Sequence, residues 1–428
     1  MCLFNYDVLN NKVSKYETNH IHMIISENIE GPIYELDEKR YGTFIHEYVH
    51  YVQHFTTHFG VKICAMYNLM FYRYITYLKE NEVINLPLEL WKEDADIKSF
   101  IESFNKVKGS KDCEKNVDEL EILHNEIEIS RSERSAVKIG VYDFENNEAQ
   151  EDGFYFGYIC IIESMAHLIQ SLFNENLNHP IIPYSSVELV FKSYYKEKES
   201  DKKLMISLCL CSLMFPNPGV AFFDMIDYSK KHPNLSGYQL YKKLLQDHPI
   251  RYNDKEMPIS RALCVFLDEL ENQISLAINK ELKYYSKIIK NCQREISECS
   301  NTLLDLIYED IYKDRKKTYE VLVDRYGYPF IEAQNIIIMP NEKSDDGFQL
   351  FLETKLMLGL ELLYKRIKSS KLFTTCGWYH NCDKNKYTEE DITSQECLYD
   401  QWEKKEDCLF VEILKFYGIR DKQYVQRN

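Results

Sequence analysis

Tyr41-Gly42-Thr43-Phe44-Ile45-His46-Glu47-Tyr48-Val49-His50-Tyr51-Val52-Gln53-His54-Phe55 is the stretch that decides how this 428-residue chain is read. Phe44, Ile45, Tyr48, Val49, Val52 and Phe55 recur at three- and four-residue spacing, as a buried helix requires. No Pro or Gly falls between Thr43 and His58, so the pattern predicts a helix starting near Gly42 and Thr43 and ending near Gly60. The apolar run Ile21 to Ile25 predicts a strand just before it. Inside the helix, His46-Glu47-Tyr48-Val49-His50 spells H-E-x-x-H. Residues four apart lie on one helical face, so two imidazoles can share one metal ion, most often Zn²⁺. The intervening Glu47 is then placed to act on a water that the metal activates. The plain alternative is two packed or surface histidines with a solvated glutamate between them.

The motif and its helix resemble the active-site helix of the zincin metallopeptidases. That resemblance covers about residues 20 to 60 and one later helix. It implies His46 and His50 as zinc ligands and Glu47 as general base. A catalytic zinc usually takes a third protein ligand and keeps a fourth position for water. The metzincin extension would need a glycine where Gln53 stands and a histidine where Thr56 stands, so that pattern is excluded. His54 lies about 12 Å along the helix from His46, too far to share the ion, and His58 is further still. The gluzincin pattern takes a glutamate from a separate helix. Glu163 fits it, as the only acid in the apolar segment Phe154 to Ile169. A lone buried carboxylate costs several kcal/mol unless paired or metal-bound, and Ser164 and Ala166 are small enough for close helix approach. His167, four residues on, is either its structural partner or an orienting neighbour. Glu163 lies 113 positions beyond His50, so the resemblance implies a long insertion or another ligand. Glu148, Glu151 and Asp152 are runners-up in a polar stretch that reads as a loop. Tyr155, Tyr158, His167, His179 and Tyr184 are the candidates for stabilising a developing oxyanion.

Low counts of Gly (14) and Pro (11) beside 33 Tyr favour long helices over a turn-rich all-β fold. The expected class is α+β and predominantly helical, with a zincin-like catalytic core, a small sheet and a long helical C-terminal part. A net charge of −16 argues against general nucleic-acid or anionic-membrane binding. The longest apolar run, Leu204 to Phe215, is too short to span a bilayer. With no export signal read at the N-terminus, the 13 scattered cysteines predict reduced thiols and a cytoplasmic location. Cys376, His380, Cys382 and Cys397, with Cys408 following, can form a closed structural zinc site, although the C-x3-H-x-C spacing lacks the paired C-x-x-C signal. The cofactor expectation is therefore one catalytic Zn²⁺ and at most one structural ion.

Helices are expected over 61–80, 87–135, 153–174, 185–198, 202–215, 219–230, 236–247 and 348–369. Strands are expected at Ala136 to Phe144, where Val137, Ile139 and Val141 alternate, and at Asn335 to Met339. The unbroken pattern from Pro258 to about Lys317 predicts an antiparallel helical pair in preference to a coiled-coil arm, because its heptads are not clean. Residues 1–250 form the expected catalytic region, with a helical insertion over about 61–135, and 251–428 a helical accessory region. The function expected is a zinc peptidase acting on a protein or peptide. A zincin-like scaffold without turnover and a hydrolase of a non-peptide amide are the alternatives.

Overall fold

The computed structural model describes residues 14–17, 21–110, 117, 119–143, 148–252, 254–333, 336–338, 345–368, 376, 395–399, 401–404 and 408–426. The chain is predominantly helical, and the described residues form four small sheets. Strands β1 (Lys15–Glu17) and β2 (His22–Ile25) lead into α1 (Glu38–Thr56) and α2 (His58–Glu80). Helix α1 begins four residues earlier than Gly42, because the Asp37 carboxylate accepts from the Arg40 backbone N–H at 2.9 Å and caps it. It ends at Thr57, whose hydroxyl caps α2 by accepting from Gly60 N–H at 3.1 Å. Gly60 is therefore no terminator. It lies in the first turn of α2, where a Cβ would stand 2.4 Å from the Gln53 carbonyl oxygen, so the tight α1–α2 corner requires glycine.

Strand β3 (Val83–Leu86) follows α2, and residues 87–135, expected to be charged and helical, alternate types instead, with α3 (Ala95–Val107), β4 (Glu119–Glu121) and α4 (His124–Glu133). Next come β5 (Val137–Asp143) and β6 (Glu148–Phe156), which form an antiparallel sheet in the order β4-β5-β6. Glu148, Glu151 and Asp152 thus lie on a strand, not in a loop, and helix starts only at α5 (Tyr158–Gln170). The strand runs through Gly153, where a Cβ would collide with the Ile139 carbonyl at 1.7 Å, beside a register shift in β5.

After the short α6 (Ile181–Tyr184), which the sequence pattern does not predict, α7 (Ser186–Tyr194), α8 (Lys202–Ser212), α9 (Pro218–Lys231) and α10 (Gly237–Asp247) follow close to the expected positions. After the hairpin β7 (Pro249–Tyr252) and β8 (Lys255–Pro258), the long pattern breaks into α11 (Ile259–Ile278) and α12 (Lys283–Ser297). Asn279 makes that break in left-handed conformation (φ 55°), and α12 packs back on α11. Helices α13 (Thr302–Tyr308) and α14 (Arg315–Tyr326) precede β9 (Phe330–Ala333) and β10 (Ile336–Ile338). Helices α15 (Asp345–Ile367), α16 (Gln395–Tyr399) and α17 (Leu409–Tyr417) and strand β11 (Gln423–Gln426) close the chain.

Two features position the site. Strand β2 pairs in parallel with β9 (His22 opposite Phe330), so a four-stranded sheet in the order β1-β2-β9-β10 lies beside α1. Helix α5 packs directly on α1, and the approach is close at Gly42, where a Cβ would stand 3.3 Å from Gln170 Cγ, while the buried Ser164 donates to the Pro183 carbonyl of α6 at 2.8 Å. Tyr48 and Tyr51 anchor the opposite face of α1, donating to the Gly327 and Tyr326 carbonyls at 2.6 Å each. The α1 face that carries His46 and His50 is thereby turned toward α5. Among the described residues, no helix is long and apolar enough to cross a membrane.

Candidate metal centre

His46, His50 and Glu163 come together across the α1–α5 contact and are the one group of potential metal ligands found among the described residues. His46 Nε2 and His50 Nε2 lie 3.2 Å apart, and Glu163 Oε2 is 3.3 Å from each. Both histidines are buried. Glu163 keeps 22% of its side chain exposed, which leaves the cluster an approach from solvent.

The tautomers follow from two glutamines. Gln53 Nε2 donates to the Ile162 carbonyl at 3.2 Å, so its Oε1 must be the atom facing His50 Nδ1 at 2.9 Å. An amide oxygen only accepts, hence Nδ1 carries the hydrogen and Nε2 presents a lone pair. Gln170 Oε1 does the same for His46 Nδ1 at 3.0 Å. Two lone pairs and a carboxylate oxygen therefore face one another at contact distance, an arrangement that needs positive charge at its centre. Burial alone would lower the His50 pKa, but the Glu163 carboxylate overrides it and holds it up at about 9. Burial likewise works against the Glu163 charge, yet the His50 and His46 rings keep its pKa well below the usual carboxylate range. A proton can fill this role, and so can a metal ion. A tetrahedral centre with ligand bonds of about 2.0–2.1 Å has edges of roughly 3.3–3.4 Å, the spacing already in place. The cluster can hold a metal ion.

Glu47, next to His46 on α1, is buried at 6% exposure, and its charge helps to raise the His50 pKa. Three of the five oxyanion candidates border the cluster. His179 and Tyr184 stack at 4.5 Å, and each ring lies 5.9 Å from His46. His167 meets His179 edge-on at 5.3 Å, and burial together with His179 lowers its pKa to about 4. Burial and His46 also lower that of His179. Tyr158 is packed in the interior, its ring stacked on Phe59 at 4.4 Å. Tyr155 is 53% exposed and makes no described contact with the cluster, since Phe154 and Phe156 take the inward face of β6.

His54 is a packed histidine. Its Nδ1 donates to the His50 carbonyl at 2.7 Å, its ring lies 5.2 Å from Tyr16, and burial lowers its pKa to about 3. His58 packs against Phe266 at 5.0 Å. Of the second candidate cluster, Cys376 N–H donates to the Cys397 carbonyl at 2.8 Å, while His380 and Cys382 lie outside the described residues. The two glutamines were not anticipated, although a helical signal for each exists. Gln53 is three residues past His50, and Gln170 is seven past Glu163, on the same face. No family model, curated protein or solved structure matches this chain.

Proposed function

We propose that the chain is a zinc-dependent peptidase that hydrolyses a peptide bond in a protein or peptide substrate. The observation that carries this reading is the convergence of His46 Nε2, His50 Nε2 and Glu163 Oε2 at 3.2–3.3 Å, with both histidine tautomers fixed from behind by glutamine oxygens. Two imidazoles and one carboxylate form the donor set of a catalytic zinc, which leaves a position open. Bound there, zinc supplies a Lewis acid that acidifies a water and polarises the substrate carbonyl. Gln53 and Gln170 hold the ligand rings in orientation and raise their basicity. Glu47 takes the proton from the attacking water and returns it to the leaving amine. His179 and Tyr184 stand at the rim as donors to the developing oxyanion, with His179 kept neutral by its surroundings.

The test separates binding from turnover. Glu47→Gln retains the size of the side chain but lacks the basic carboxylate. It should keep one equivalent of zinc and lose turnover by at least about 10²–10⁴-fold on a cleavable peptide selected from a broad peptide library. His46→Ala and His50→Ala should lose zinc and turnover together. Wild-type turnover in Glu47→Gln would refute the role of Glu47, and wild-type protein without zinc at the two histidines would refute the reading as a whole.

A further inference from the structure

A cavity of about 650 Å³ opens between α2, α3, α4 and the start of α9, and none of its lining residues belongs to the metal cluster. Its floor is aromatic. Phe59, Phe100, Phe104 and Phe215 line it, and Phe104 lies 6.1 Å from both Phe59 and Phe100. Its rim is cationic in a chain whose net charge is −16, with four basic residues against two acids. Arg131 is spent on a bidentate pair with Asp224, 2.8 Å for each bond. Lys62, Lys106 and Arg134 have no ion-pair partner among the described residues. Lys62 Nζ lies 5.8 Å from the centroid of the Phe100 ring, and partial burial alone lowers its pKa. An ammonium that lies beside the aromatic floor with no carboxylate paired to it among the described residues is open to an anion.

We propose that this cavity is a second binding site, for a small aromatic acid. The aryl body stacks against the phenylalanine floor, and its carboxylate or sulfonate pairs with Lys62, supported by Arg134 and Lys106. The volume, about 650 Å³, falls in the range of small-molecule sites, about 300–1,000 Å³. Aromatic stacking supplies affinity, and the lysine supplies selection for charge. The site lies beyond the metal chemistry, although it is linked to it physically. Phe59 and Phe104 form the near wall against Tyr158, which is five residues before Glu163 on α5.

The test is calorimetric titration of the intact protein with 2-naphthoate and with its neutral analogue 2-naphthylmethanol. Naphthoate should bind once per chain, and the alcohol at least about tenfold more weakly, since it lacks the charge-assisted contact. Lys62→Glu and Arg134→Glu, both at exposed positions, should each weaken naphthoate at least about tenfold. Lys316→Glu on α14 should not, which excludes a general effect of net charge. His46→Ala should bind naphthoate as the wild type does, so the result is independent of the peptidase reading. The proposal is overturned if naphthoate does not saturate by about 1 mM, if the alcohol binds equally well, or if Lys62→Glu is unaffected. Binding lost in His46→Ala would also overturn it, by placing the acid at the metal cluster.

Discussion

Gln170→Leu tests the cluster from behind, without touching a ligand. Gln170 is buried at 4% exposure, and its Oε1 is the acceptor for His46 Nδ1–H at 3.0 Å. Leucine fills nearly the same volume but accepts nothing. The ring then has two options. It can keep Nδ1–H and bury an unpaired donor, at about 1–3 kcal/mol, or move the hydrogen to Nε2 and withdraw the lone pair from the cluster. Either route taxes the metal-bound state, and loss of such supporting partners typically weakens metal affinity 10–100-fold, about 1.4–2.8 kcal/mol. Competition between the protein and a chromophoric chelator for zinc reads this directly. Gln170→Glu, which restores an acceptor and adds charge, should bind zinc at least as tightly as the wild type. Unchanged affinity in Gln170→Leu, with the fold intact by circular dichroism, would refute the claim that this bond fixes the His46 tautomer.

Glu163→Ala should lower zinc content and abolish peptide cleavage, checked by metal analysis beside the activity assay, because two imidazoles alone make a weak and misshapen site. Gly60→Ala should destabilise the protein by several kcal/mol in chemical denaturation, since the new methyl would sit 2.4 Å from the Gln53 carbonyl and 2.6 Å from His54 Cα. Zinc affinity should fall with it, because Gln53 supports His50. Burial of Glu295 raises its pKa from 4.5 to about 7, against hydrogen bonds from Thr302 and Tyr326. Its folded pKa lies above the unfolded one, so the penalty is absent below about pH 4.5 and complete above about pH 7. At about 1.36 kcal/mol per pH unit it amounts to roughly 3 kcal/mol. Glu295→Gln should therefore raise the melting temperature at pH 8 and leave it nearly unchanged at pH 4.5.

What could be read from the sequence, and what could not, follows from the range over which each signal acts. Strand β5 declares itself because it buries one side, Val137, Ile139 and Val141, and so writes a period of 2 into a short window, whereas α1 and β2 are buried on more than one side and show as dense apolar stretches. Glu163 was legible for a related reason, since an isolated acid in an apolar helix demands a partner. The helix ends were misplaced because Asp37 and Thr57 act by side-chain capping, which outranks the glycines nearby. Strand β6 was hidden by its first five residues, Glu148 to Asp152, which are polar enough to pass for a loop. Once β6 is a strand, alternation alone puts Tyr155 outside between Phe154 and Phe156, and the tyrosine drops out of the site. Gln53 and Gln170 show the deeper limit. Each is one ordinary amide in a helical pattern, and its role depends on which face of α5 meets which face of α1. That pairing spans more than a hundred residues and is held by the close approach of Gly42 to Gln170, by the Gln53 bond to the Ile162 carbonyl, and by tyrosines of α1 that hydrogen-bond to the C-terminal end of α14. The chemistry of the candidate ligands is written locally, whereas the support that orients them is a property of the packed helices.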